Sequence, residues 1–194
     1  MKWNILALLL IAGMVYGSPA EISAPNKAAY SASTAQFTPY ATATDVCTLT
    51  AGTGSTSQFS TYVYRVSVWG TQTTAGLNSW FLIKRSAADT GGTSSAITIV
   101  PHDSHLQPAQ ASVLKITALP TPGTSLGTVR GMALEAGGAA SVVNQSGFDF
   151  LFGPLTGLSP VILHAGETLA LNFGGAAIPS GMTISCEFSW TEVP

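Results

Sequence analysis

From Asp45 to the C-terminus this chain repeats one pattern: a short β-prone run, then a turn rich in glycine or proline. The runs are DVCTLTA (45–51), TYVYRVSVWG (61–70), SWFLIKRS (79–86), AITIV (96–100), ASVLKITA (111–118), SLGTVRGMAL (125–134), FDFLF (148–152), PVILH (160–164), TLALNF (168–173) and MTISCEFSW (182–190). ADTGG, LPTPG, EAGGAA, GPLTGLSP, HAGE and GGAAIPSG separate them. Short strands punctuated in this way read as a sandwich or barrel, and no amphipathic helical period appears after residue 17. The expected fold is all-β: a jelly-roll-like antiparallel sandwich of about 8–10 strands over residues 45–194.

Two of these stretches predict side-chain placement. TYVYRVSVWG alternates for most of its length, which puts Tyr62, Tyr64, Val66 and Val68 on one expected face. In ILHAGETLALNF (162–173) a strand, a tight turn and a second strand follow directly. Leu169, Leu171 and Phe173 share one face there, and Ala170 and Asn172 the other. Gly166 can supply the positive φ of the turn, and Glu167 reads as a hydrogen-bond acceptor at its edge rather than a catalyst.

Charge limits the partners. Only 8% of the 194 residues are charged, against a typical ~25% for soluble domains, and the net charge is -2. Three Arg and four Lys give no basic footprint for nucleic acid. Apolar residues are scattered among Ser, Thr, Gly and Ala, and after residue 17 no run approaches the ~20 residues that span a bilayer. Many exposed positions must then be Thr, Ser, Ala and Gly, a surface that loses little on desolvation and suits broad subunit contacts. The expected state is a homo-oligomer, and the analogy with other jelly rolls in particles makes a homotrimer the first expectation.

The N-terminus reads differently. Residues 1–17 hold Lys2, an apolar run from Ile5 to Tyr16 and then small residues at Gly17, Ser18 and Ala20. This is the layout of a secretory signal, with the mature chain expected to begin between Gly17 and Glu21 and to keep no stable membrane span. The alternative is a retained apolar strand or helix that anchors the domain in an assembly. Residues 18–44 mix Pro, Ala, Ser and Thr without periodicity and read as an extended arm or linker; a disordered leader is the competing reading.

Several phrases resemble a known group. TPYATATDVCTLT (38–50), GTQTTAG (70–76), FLIKRSAADTGGTSSAITIVPHDS (81–104), LGTVRG (126–131) and AGETLALNFGGAAIPSGMTISCEFSWTE (165–192) are similar to small β-sandwich proteins encoded in phage and prophage genomes. The resemblance covers roughly residues 36–194. It implies a virion structural protein, associated with head or tail, with assembly and surface-decoration roles and other particle proteins as partners. It carries no catalytic motif, and a secretory leader departs from a protein packaged in the cytoplasm.

The densest polar stretch is PHDSHLQP (101–108). His102, Asp103 and His105 are weak candidate metal ligands. A zinc site needs three or four ligands in suitable geometry, and positions three apart converge on a helix, which Pro101 and Pro108 argue against. Ser104 lies between Asp103 and His105, but sequence adjacency does not make a catalytic triad, and no GxSxG elbow is present. The resemblance places VPHDS at a strand-to-loop boundary, where Asp103 accepts backbone N–H groups in an Asx-type turn. Catalytic residues and cofactors are therefore expected to be absent, and the protein is expected not to be an enzyme.

Other residues carry weaker readings. Asp149 is a charge in an apolar strand, facing solvent or a subunit contact. Lys84 and Arg85 are adjacent cations that a strand would point to opposite faces. Trp69 and Trp80 are core or rim residues, or a sugar-stacking platform. NQS (144–146) matches a glycosylation sequon, which has weight only in a eukaryotic secretory host. Cys47 shares a face with Leu49, and Cys186 with Ile184, Phe188 and Trp190. Early and late strands of a jelly roll are often neighbours, so Cys47 and Cys186 are expected close together, and a disulfide becomes plausible in an oxidising compartment. Two functions follow: a structural protein of a virion or related particle, or a secreted module that binds carbohydrate or another surface. Either places the chain in a virion or outside the cell.

Overall fold

A computed structural model describes residues 28–53, 59–136, 144–153 and 156–193. The leader expected over 1–17 and the first part of the arm lie outside the described residues. The chain is an all-β sandwich of two antiparallel sheets. In chain order its strands are β1 (Ala28–Ser33), β2 (Asp45–Thr50), β3 (Ser60–Gln72), β4 (Gly76–Arg85), β5 (Thr93–Ala96), β6 (Ile99–Pro101), β7 (Ser112–Ala118), β8 (Ser125–Ala136), β9 (Asn144–Leu151), β10 (Val161–Leu163), β11 (Thr168–Asn172) and β12 (Thr183–Val193).

One sheet runs β10-β3-β12-β1-β6, with β9 beside β10 along the same edge of β3, and the other runs β5-β7-β2-β11-β4-β8. Setting aside β5, β6, β7 and β10 leaves β9-β3-β12-β1 facing β2-β11-β4-β8. The chain alternates between the two sheets from β1 to β4 and returns through β8, β9, β11 and β12, so first and last strands pair. This is the jelly-roll order of two interlocked Greek keys. The segment from β5 to β7 is an insertion between β4 and β8 that adds one edge strand to the first sheet and two strands to the second.

The sandwich begins earlier than the sequence suggests. Part of the arm expected over 18–44 is strand β1, which lies between β12 and β6. Its alternation carries Tyr30 and Ala32 inward, Tyr30 stacks on Trp190 at 5.8 Å, and its hydroxyl donates to the Gln107 carbonyl at 2.7 Å. Phe37 then bridges Ile184, and the Thr44 carbonyl accepts from Phe173 N–H. The sandwich thus includes a strand at Ala28–Ser33, ahead of position 45, the expected start of the domain. AITIV also divides, into the end of β5, a two-residue break and β6.

The core lies between the sheets. Leu49, Val66, Leu82, Leu169, Leu171, Ile184, Phe188 and Trp190 are fully buried in it, and Trp80 meets Phe173 edge-on at 4.7 Å. Each such large side chain contributes about 1.5–3 kcal/mol by leaving water. One expected face is corrected. Val63 is opposite Trp190 and Arg65 opposite Ser189, which leaves Tyr64 as an extra residue in β3. The bulge shifts the alternation by one position. Thr61 and Val63 point inward before it and Val66 and Val68 after it, while Tyr62 and Tyr64 are only half-buried on the outer side. Gly166, at φ 78°, makes the expected turn before β11.

Candidate functional site

The histidine loop does not assemble a centre. His102 N–H donates to the Ala29 carbonyl at 2.8 Å, which fixes the loop to β1. Asp103 Oδ1 accepts from His105 N–H at 2.9 Å, the expected Asx-type turn, and lies 3.3 Å from His105 Nδ1. The His105 side chain is 93% exposed. Among the described residues no group of three or more His, Cys, Asp or Glu is placed to hold a metal ion.

The two cysteines do meet. Cys47 on β2 and Cys186 on β12 form a disulfide across the core, with Cα atoms 6.7 Å apart and both residues fully buried. The tryptophan pair is separated: Trp80 is in the core, while Trp69 is half-buried at a position of β3 where Gly147 of β9 packs against it. Asp149 is exposed and pairs with Arg65 at 3.2 Å. Glu167 is the turn-edge acceptor expected, taking His164 N–H at 2.8 Å and the Lys84 ammonium at 2.7 Å. Burial raises its pKa, but those two donors outweigh burial and hold the carboxyl below its ordinary value.

Sequence reasoning missed a buried polar cluster. Arg85 points away from the core, opposite to Lys84, and does not face solvent. Its Nε and Nη2 bind both oxygens of Asp45, at 2.5 and 2.7 Å, and its Nη1 donates to the Gly123 carbonyl at 2.9 Å. Asn172 donates to Asp45 Oδ1 at 2.5 Å. Asp89 completes the cluster: Oδ1 lies 3.9 Å from Arg85 Nε and accepts Gly123 N–H at 3.2 Å, while Oδ2 is buried with no hydrogen-bond partner. Burial first, and the Asp45 carboxylate second, both by its charge and as an acceptor for the Asp89 proton, push Asp89 up to about 6, with Gly123 N–H and Arg85 offsetting part of the rise. Asp45 is fully buried and Arg85 6% exposed, so the cluster has no room for a substrate. It binds together both ends of the insertion between β4 and β8.

The accessible feature is the open side of the sandwich, where β8 ends one sheet and β9 and β10 end the other. Five large apolar side chains are exposed along it: Leu126, Met132, Leu151, Leu158 and Ile162. A cleft of about 500 Å³ is lined by two of them, Leu158 and Ile162, with Val129, Phe152 and Pro160 in its wall. Arg130 stands 6.0 Å from the Phe152 ring centre and has no carboxylate partner among the described residues. Edges elsewhere are shielded in the usual ways: β5 has four residues, and β6 has three and ends in Pro101. β8 is longer, with twelve residues, no proline and Arg130 as the one charge among its described side chains, and it is interrupted by two bulges, at Leu126 and Val129.

Comparison with known protein families, curated proteins and solved structures gives no match.

Proposed function

We propose that this protein is a non-enzymatic structural subunit of a virion or related particle, and that it assembles with copies of itself through the open side of the jelly roll. The observation that carries the reading is the set of five large apolar side chains left exposed on β8, on β9 and around β10, next to a twelve-residue edge strand. An edge strand of this length offers unpaired backbone groups to another chain, and its bulges at Leu126 and Val129 limit how far such pairing runs. Large apolar side chains exposed on neighbouring strands mark interaction sites because a partner that covers them removes them from water. The low charge of the chain and the resemblance to phage sandwich proteins point the same way.

Light scattering on the full chain at micromolar concentration tests this. The wild type is expected as a homo-oligomer, and the double variant Leu126→Lys/Met132→Lys as a monomer with unchanged β-sheet circular dichroism. Both positions are exposed, so the lysines leave the fold intact while charging the edge. A monomeric wild type would overturn the assembly reading. Location in a particle is read by electron microscopy of native material.

A further inference from the structure

We propose that Asp89 is a proton-operated latch on the insertion between β4 and β8: protonated, it closes the neck of the insertion, and ionised, it loosens it. The proposal is independent of the assembly reading.

The neck is where the two limbs of the insertion, 86–92 and 119–124, run side by side. Ser86 N–H donates to the Thr124 carbonyl at 2.9 Å, and Thr90 and Thr121 exchange two backbone bonds of 2.9 and 2.7 Å. The limbs touch so closely that a Cβ at Gly123 would run into the Ala87 carbonyl. Asp89 is on the first limb and holds Gly123 of the second. Arg85, at the end of β4, holds the Gly123 carbonyl.

Charge balance makes this contact sensitive to protons. The groups facing Asp89 are Asp45 from β2, Arg85 from β4 and the phenol of Tyr40, which is neutral in this pH range as phenols are, and which burial pushes further up. The Asn172 amide from β11 is neutral and occupied by Asp45. One guanidinium thus serves two carboxylates, and both of its forked donors are already on Asp45. An ionised Asp89 adds a second buried negative charge with Oδ2 unpaired. Such a charge is relieved either by a proton taken from water or by movement of the limb into water.

The sign follows from linkage. Asp89 rises from 3.8 to about 6 in the closed structure, so the closed neck binds its proton more tightly than an opened one. Closure is favoured at acid pH, weakens as pH rises through the window between these values, and is weakest above about 6. A shift of two units corresponds to up to about a 100-fold change in the closing equilibrium. Release of the neck frees the base of β5 and β7, which extend the second sheet from β2.

Amide hydrogen exchange at about pH 5 and pH 7.5, corrected for intrinsic chemistry, tests the latch on Thr90, Thr121 and Gly123. In the full-length wild type these amides are expected to open more often at the higher pH, by about tenfold, because pH 5 already lies above the 3.8 of the opened state, while those of the β3–β12 pairing do not change. Asp89→Asn is expected to remain closed at both values. Equal opening at both pH values in the wild type, or a pH response that persists in Asp89→Asn, overturns the proposal. A variant that fails to fold leaves a direct reading on the wild type. There the Asp89 carboxyl carbon and the neck amide shifts must titrate together near pH 6 by NMR, and a carboxyl midpoint below 5 refutes the latch.

Discussion

Replacing Cys47 and Cys186 together by Ala is expected to lower the unfolding free energy by about 5 kcal/mol. The bond joins β2 of one sheet to β12 of the other through the centre of the core. It closes a separation of 139 residues, and a loop of that size loses about 5 kcal/mol of chain entropy in the unfolded state. Domains are stable by only about 5–15 kcal/mol in all, so this one bond decides whether the fold survives at elevated temperature. The measurement is the denaturant midpoint of wild type and variant, each with and without reductant. Reductant is expected to bring the wild type to the variant and to leave the variant unmoved. A difference under about 1 kcal/mol would show that the bond does not constrain the chain.

The second large effect is expected at Arg85. Arg85→Met leaves Asp45 fully buried with its charge unpaired, and removing one partner of a buried pair destabilises by about 3–5 kcal/mol. Arg65→Met provides the contrast. Its partners Asp149 and Glu187 lie at the surface, where such pairs contribute about 0–1 kcal/mol. Urea unfolding at pH 7 separates the two. The triple change Arg85→Met/Asp45→Asn/Asp89→Asn is expected to recover much of the loss, because no unpaired charge is then left inside. If Arg85→Met were as mild as Arg65→Met, the cluster would be solvated and the account of it wrong.

The strands were legible where alternation and turn chemistry agreed. TLALNF between a Gly-Glu turn and Gly174 could form little else, and β11 follows it closely. β1 was hidden because AAYSAS offers one large apolar residue, and its pairing energy comes from β12 and β6 rather than from its own composition. The Tyr64 bulge was hidden for a different reason: an extra residue is defined only against the partner strand, which lies more than a hundred positions away. The cluster of Asp45, Arg85, Asp89 and Asn172 is the extreme case. Its members belong to three strands and a loop, and each alone is an ordinary polar residue. The adjacency of Lys84 and Arg85 did signal opposite faces, but which face was buried depended on the limbs of the insertion folding over the sheet. Lys84 pairs with Glu167, and Arg85 is enclosed by Asp45, Asp89 and Gly123.

A pulling force applied to the ends of this chain would meet the Cys47–Cys186 bridge before it reached most of the protein. Tension entering at β1 and at the end of β12 crosses from one sheet to the other through a single covalent link. Only the segments before Cys47 and after Cys186 can be drawn out; everything between them, the insertion and the open side included, is bypassed by the load. Under tension such a domain frays at β1 and at the part of β12 beyond Cys186 while its centre keeps its shape, and β6 and β3 stay in place as partners for the frayed strands when the force is released.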